Sequence, residues 1–348
     1  MKLNRYHCAT LLLSALLMVS CSVIDDDRSD CGDDSNNFQL DYELQLVTNI
    51  TTELQTELST QTDVSVATAL RGYLSDIFTD FAHDIDLSFY DTQDDSIRLQ
   101  HDQHVMDANQ ASYTLNLPMR QYMHLAAANL VENPIVSLVT DEHCHTAKFL
   151  QPTADTITSH TTGVFSARLP MDVQEGISQH FNVHLYMTNC ATALVIDTIG
   201  SGIRNLQVFT TGFAVGFNLA DSTYIYSDTP PIITANALNT NANTPQVFCS
   251  VQFPSRETQP TRTIIETTDP FVSTAADESL WEYRIYATTA EGTETETIFH
   301  INTPQRAGQL KVLKAKAHAD GAVSTNDPTV GVNVTTNWNN GGQYNPEL

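Results

Sequence analysis

The chain has 348 residues, with 41 acidic against 16 basic side chains and a formal net charge of −25 at pH 7. That length suits two domains of ordinary size, and that charge excludes nucleic acid as the natural partner, because phosphate backbones are held mainly through Lys and Arg. It also repels anionic lipid surfaces, so attachment to a membrane has to come from a covalent lipid or a spanning helix.

The first element in chain order is a signal. Lys2 and Arg5 precede an apolar stretch over residues 9–19, which Leu16-Leu17-Met18-Val19-Ser20-Cys21 closes with a small residue before a cysteine. This pattern is a substrate for lipid transfer to the Cys21 thiol and cleavage before it, leaving residues 1–20 as a lipoprotein signal peptide. An ordinary secretory signal is the alternative. A spanning helix needs roughly 18 or more apolar residues, and this stretch is too short. One acyl chain binds a membrane only marginally, whereas the two or three of a mature lipoprotein cysteine anchor it stably.

Residues 21–37 form an acidic tether with Asp25, Asp26, Asp27, Asp30, Asp33 and Asp34, too poor in apolar side chains to fold alone. Phe38, Leu40, Tyr42, Leu44 and Leu46 then alternate with polar residues, the pattern of a half-buried strand. Val66, Leu70, Tyr73, Leu74, Ile77, Phe78 and Phe81 recur at three- and four-residue steps and predict one face of a helix. Strand patterns return at 85–90, 113–117 and 123–128, separated by polar stretches. A first domain over 38–150 and a Thr- and Ser-rich linker over 153–162 are expected.

The second domain, 163–348, reads as strand throughout. Phe181-Val183-Leu185-Met187, Val247-Cys249-Val251-Phe253, Trp281-Tyr283-Ile285-Ala287 and Val330-Val332-Val334 each mark one face of an alternating segment, and the Asn- and Thr-rich run 234–246 reads as a loop. The expected fold is mainly β, two β-sandwich domains of which the first carries an amphipathic helix. No repeat of a solenoid or propeller period is visible.

Cys8 leaves with the signal and Cys21 takes lipid, so Cys31, Cys144, Cys190 and Cys249 remain as candidate disulfide cysteines with three possible connectivities. Cys190 and Cys249 suit buried thiols equally well, since both lie in apolar strand patterns. His101 with His104, and His143-Cys144-His145, offer metal-ligating types at spacings that match no specific site. In a strand, His143 and His145 would share a face while Cys144 pointed away. No Gly-x-Ser-x-Gly elbow, Gly-rich phosphate loop or His-Glu-x-x-His helix is present. The pairs Asp84/Asp86 and Asp94/Asp95 have the residue types of a glycosidase, but in so acidic a chain they are expected to face solvent. The expectation is no catalytic, metal or cofactor site and no small-molecule substrate.

Taken together, Cys21 followed by Asp25-Asp26-Asp27-Arg28 and Asp30-Cys31, the helix leading into 85–90, and the closing run Val330-Gly331-Val332-Asn333-Val334-Thr335-Thr336-Asn337-Trp338 resemble the FimB-like fimbrial anchoring subunits of Bacteroidia, lipoproteins of type V pili. Asn337 departs from the acidic residue expected before the Trp. The resemblance implies two transthyretin-like β-sandwiches, location at the outer membrane through lipid on Cys21, and fimbrial stalk subunits as partners. It further implies that the protein anchors a fimbrium and limits its length. Such polymers grow by strand addition, and two segments are candidates for the junction, 38–46 near the tether and 330–338 near the C-terminus, the latter favoured as donor. Asp95-Ser96-Ile97, Asp155-Thr156-Ile157, Asp197-Thr198-Ile199 and Asp221-Ser222-Thr223 resemble the acceptor triplet of general O-glycosylation in Bacteroidia. The alternative function is a cell-surface glycan-binding lipoprotein. It has a weak case in the sequence, because Trp281 and Trp338 are the only tryptophans and both lie in strand patterns.

Overall fold

The computed structural model describes residues 37–47, 63–78, 84–93, 97–102, 112–131, 133–175, 177–197, 199, 202–239, 244–258, 279–336 and 343–344. The signal, Cys21, Cys31 and the tether before Asn37 lie outside the described residues.

Four sheets account for the described strands. The first runs β3 (Ile97–Asp102), β2 (Ile85–Asp91), β5 (Gln121–Ala128), β9 (Phe165–Asp172), β10 (Gln179–Met187), β1 (Asn37–Val47), β4 (Ser112–Pro118). The second runs β16 (Asn236–Asn239), β17 (Gln246–Gln252), β11 (Cys190–Ile196), β20 (Leu310–Ala317), β21 (Val323–Thr325). The third runs β23 (Gln343–Tyr344), β22 (Val330–Thr336), β19 (Glu294–Ile301), β18 (Trp281–Thr289), β12 (Ile203–Thr211), β15 (Ile232–Thr234), β8 (Thr156–Thr158). The fourth is small: β14 (Thr223–Ile225), β13 (Gly216–Asn218), β7 (Lys148–Leu150), β6 (Ser137–Val139).

The second sheet is the centre of the molecule because both of its faces are covered. Ala191, Ala193 and Val195 of β11, with Val247, Cys249 and Val251 of β17, share one core with Leu87, Phe89, Leu117, Val183 and Leu185 of the first sheet. The alternate residues Cys190, Leu194, Ile196 and Phe248 share a second core with Trp281, Tyr283, Ile285 and Phe299 of the third sheet. Successive side chains of a strand point to opposite faces, and a strand buried on both reads as a continuous apolar run, as Cys190-Ala191-Thr192-Ala193-Leu194-Val195-Ile196 does. A third core lies on the other face of the first sheet, where Tyr90, Leu125 and Ala127 meet Phe149, Phe217 and Phe253. Burying one such Leu or Phe fully is worth about 1.5–3 kcal/mol.

The expected mainly-β fold of packed sheets with one helix is therefore present, but the sheets do not divide at 150–163. Strands β9 and β10, which follow the expected boundary, complete the first sheet. In the same way β6 and β7, which precede it, pair into the fourth with β13 and β14. Strand pairing across long sequence separations sets this division, and composition along the chain carries no mark of it.

Helix α1 (Val64–Phe78) packs into the first core, against β16 and β17. Val66, Leu70, Leu74, Ile77 and Phe78 are buried at the expected spacing, with Tyr73 packed beside them; Phe81 lies outside the described residues. Asp63 caps the helix, its Oδ1 accepting from the backbone N–H groups of Ser65 at 2.8 Å and Val66 at 3.3 Å and from the Ser65 hydroxyl at 2.6 Å. These bonds hold the Asp63 carboxyl below the usual carboxylate range. At the other end the Gly163 N–H donates to the Ile77 carbonyl at 3.1 Å. A Cβ on Gly163 would lie 2.7 Å from that oxygen, which is why glycine stands there.

The expected linker is instead part of the interior. Within 153–162, Thr156–Thr158 pairs as β8 with β15, and Ile157, Ser159 and His160 are buried. A polar network holds this crossing. Tyr73 Oη lies 3.2 Å from Ser159 Oγ and accepts from Asn236 Nδ2 at 2.6 Å, and Ser159 Oγ also accepts from the Val251 N–H at 2.8 Å. His160 sits between the Gln151 amide, 2.6 Å from Nε2, and Asn189 Nδ2, 2.7 Å from Nδ1. Asn189 Oδ1 is already taken by the Val164 N–H at 2.6 Å, so its NH₂ donates to Nδ1. Nε2–H must then donate to Gln151, whose amide satisfies this by presenting its oxygen. Burial drives the His160 pKa down to about 3, so the ring is neutral and the network is structural.

Candidate assembly site

Of the two segments expected to make a junction, β1 is interior. It pairs in parallel with β10 from Leu40↔Gln179 to Val47↔Tyr186, and antiparallel with β4 from Asn37↔Pro118 to Glu43↔Ser112. From Leu40 to Glu43 it has a strand on both sides, so no edge is open there to another chain. Beside it the exposed Asp41 carboxylate lies 3.5 Å from His180 Nε2, its register partner.

Strand β22 is built differently. On one side it pairs with β19 from Ile301↔Val330 to Thr295↔Thr336; on the other, among the described residues, only Thr335 and Thr336 have strand partners, Tyr344 and Gln343. Val330 and Val332 pack on the second core, as their alternation predicts. Gly331 and Asn333 stand on the opposite face against His300. The donor and acceptor groups of residues 330–334 on that outer side are the longest stretch of β22 available for pairing.

A polar line across three strands fixes β22 to its sheet. His300 Nδ1 lies 3.0 Å from Glu282 Oε1 on β18, and His300 Nε2 lies 3.1 Å from Asn333 Nδ2 on β22. The geometry fits a ring that donates to Glu282 and accepts from Asn333. Burial works to raise the Glu282 pKa, but His300, Arg284 (3.4 Å) and the Ser279 hydroxyl outweigh it and hold the carboxyl below its ordinary value. Gly331 is the register partner of His300, and a Cβ there would meet His300 Cβ at 3.4 Å, an ordinary contact. Sequence reading missed this line because Glu282, His300 and Asn333 are separated along the chain and become neighbours only through strand register. The polar positions between the apolar ones of β18 and β22 were its only trace.

The remaining candidate residues fall apart from this site. Cys144, Cys190 and Cys249 are buried free thiols, with no disulfide among the three. Burial raises the pKa of all three, Cys190 and Cys249 by the most. Cys190 faces the second core and Cys249 the first, because they lie on opposite faces of the central sheet, which keeps the two apart. His143, Cys144 and His145 lie at a short 3-10 turn rather than in a strand. Cys144 does point inward, and the rings of half-buried His143 and exposed His145 stand 5.6 Å apart. Asp141 there is engaged by the Thr146 hydroxyl and the His143 N–H, and no group of three potential metal ligands occurs among the described residues. His101 lies in β3 without a described side chain, and His104 lies outside the described residues. Of the four triplets, Thr156 and Ser222 present exposed hydroxyl residues; the other two fall partly outside the described residues.

No family model matches the chain, and no curated protein matches it in sequence. Among solved structures the chain is similar to a candidate adhesin from Bacteroides ovatus, at 8% identity and a TM-score of 0.49 over 76% of this chain and 83% of that one. It is also similar to the fimbrial anchor protein Mfa2 from Porphyromonas gingivalis, at 10% identity and a TM-score of 0.46 over 86% of this chain and 97% of that one. A third likeness is to the tip fimbrial protein Mfa3 from the same organism with C-terminal truncation, at 10% identity and a TM-score of 0.39 over 86% and 99%. Likenesses of this size describe the course of the chain in outline and carry no activity with them.

Proposed function

We propose that this chain is an outer-membrane lipoprotein that anchors a fimbrium at the cell surface and limits its length, joined to stalk subunits by strand addition. The observation that carries this reading is the contrast between the two strands: β1, which follows the acidic tether from Cys21, is paired on both sides from Leu40 to Glu43, while among the described residues β22 has outer strand partners only at Thr335 and Thr336. A subunit whose own N-terminal strand fills the sheet has no vacant place there for the strand of a further subunit. Growth ends at such a subunit. The edge of β22, or the segment that carries it, remains for one neighbour, whose backbone groups would supply affinity and whose alternate side chains would supply specificity.

Lipid on Cys21 holds this terminal subunit in the membrane, and the strongly acidic body stays in solvent beyond it. The test is co-purification from detergent-solubilised outer membrane, with Cys21→Ala alongside. The expected result is a fimbrial subunit recovered with the protein, and release of both from the membrane in the Cys21→Ala strain. If no fimbrial subunit co-purifies, and fimbriae stay attached and of normal length in a strain without the protein, the reading fails.

A further inference from the structure

Strands β9 and β10 are neighbours in the first sheet, yet only two residue pairs join them, Ser166↔Tyr186 and Phe165↔Met187. Pro170 helps to explain the separation. Within β9 it is paired with Met123 of β5, and having no N–H it cannot donate toward β10. Over the end where the two strands are joined, a cleft of about 360 Å³ opens, lined by Ser166 and Arg168 of β9, Tyr186 of β10, and Phe217, Tyr224 and Ser222 of the β13–β14 hairpin. The turn at Gly308 closes its far wall.

Three features of this cleft point to a ligand. Tyr186 is 54% exposed although the apolar ring of Phe217 lines the same cleft. The Arg168 guanidinium and the hydroxyls of Ser166 and Ser222 have no hydrogen-bond or ion-pair partner among the described residues, in a chain where acidic groups outnumber basic ones 41 to 16. Ser222 is held with φ at 56°, a left-handed conformation uncommon outside glycine. Its neighbour Asp221 pins the turn by accepting from the Thr223 N–H at 3.2 Å and hydroxyl at 2.6 Å. Strain kept at the lip of a cleft is a mark of function.

We propose that this cleft binds a carboxylate-bearing sugar, such as a hexuronic acid residue of a surface or host glycan. The face of a pyranose ring is apolar and stacks on an exposed tyrosine, its hydroxyls suit serine hydroxyls, and a planar carboxylate matches the two-pronged guanidinium of Arg168. The volume falls near the lower end for small-ligand sites, which suits one or two sugar rings. An anionic ligand is repelled by the net charge of the chain at long range. That repulsion is screened beyond about 8 Å at physiological salt, so the local guanidinium decides. The assignment does not depend on the anchor function, since none of the residues that line the cleft belongs to β22 or to its sheet.

The experiment uses the full mature lipoprotein in detergent, titrated by ligand-observed NMR with methyl β-D-glucuronide and, separately, with methyl β-D-glucoside, which differ only in the carboxylate. The glucuronide is expected to bind saturably and about tenfold more tightly than the glucoside. Arg168→Gln is expected to remove that preference, and Tyr186→Ala to weaken both sugars. Both side chains are exposed, so both variants are expected to keep the thermal midpoint of the parent. Absence of saturable glucuronide binding, equal affinity for the two sugars, or binding unchanged by Arg168→Gln would each overturn the proposal.

Discussion

The first and last long strands, β1 and β22, carry similar alternating sequences and have opposite surroundings. β1 lies between β10 and β4 in a sheet whose neutral histidine, His124, is fully buried, with Nδ1 3.0 Å from the Ser88 carbonyl and the ring stacked on Phe89. β22 lies one strand from the end of its sheet, with only the two-residue β23 beyond it, and is held through a histidine that faces a carboxylate. β1 has a strand on both sides from Leu40 to Glu43, and β22, among the described residues, has one on its outer side only at Thr335 and Thr336. Alternation of apolar side chains reports which face of a strand is buried, and it is silent on whether the strand's two backbone edges are used.

Acid is expected to separate the two regions most strongly. Burial lowers the pKa of His124 to about 4 and of His160 to about 3, against an ordinary value of 6.5. The unfolded chain therefore takes up protons that the folded one refuses. The stability contributed by these neutral rings is full above about 6.5 and is lost as the pH falls toward 4, by roughly 3 kcal/mol for each ring at pH 4. Glu282, in the sheet of β22, is shifted downward from 4.5, so its contribution is lost only below about that value. Denaturant midpoints measured at pH 7 and pH 5 should differ clearly, and His160→Gln should shrink the difference. An unchanged midpoint would mean that these rings are not buried neutral.

Backbone substitution probes the contrast directly. Because β1 is paired on both sides at Leu40–Glu43, Tyr42→Pro is expected to cost about 3 kcal/mol or more, through a lost N–H and a displaced strand. Urea unfolding measures it, and a cost under about 1 kcal/mol would place β1 at an edge. A smaller loss, about 1–3 kcal/mol, is expected for Glu282→Ala, which leaves His300 Nδ1 buried without its acceptor. Truncation after Thr336 removes the two residue pairs of β23 and is expected to cost less than about 1 kcal/mol while lengthening the open edge of β22. A large loss from that truncation would show that β22 is covered on its outer side.

Much of the fold was legible where one periodicity acted alone. Val66, Leu70, Leu74, Ile77 and Phe78 announce a helix face, and Trp281, Tyr283, Ile285 and Ala287 announce a strand with one buried face, because side-chain spacing maps directly onto geometry. The segment 153–162 was misread as a linker for the opposite reason. Its buried residues are one isolated apolar side chain, Ile157, and two polar ones, Ser159 and His160, whose burial depends on partners at Tyr73, Gln151, Asn189 and Val251 that no local pattern reveals. At the candidate assembly site the alternation of Val330, Val332 and Val334 marked a strand, and its choice as a junction came from the family resemblance alone, whereas the Glu282–His300–Asn333 line needed the register of three strands.

What the sequence by itself determined is local and chemical: a large excess of acidic over basic side chains, one amphipathic helix, and strands with their inward faces marked. These follow from residue type and spacing, which act over a few residues. Tertiary structure alone decided which strand is interior and which is an edge, that β9 and β10 belong to the first sheet, and that Cys190 and Cys249 stay apart as thiols. It also decided that Arg168 and Tyr186 flank one cleft. Each of these depends on pairing between strands far apart in the chain, and the hydrogen-bonding groups that make it are the same in every residue except proline, so side-chain pattern leaves it open.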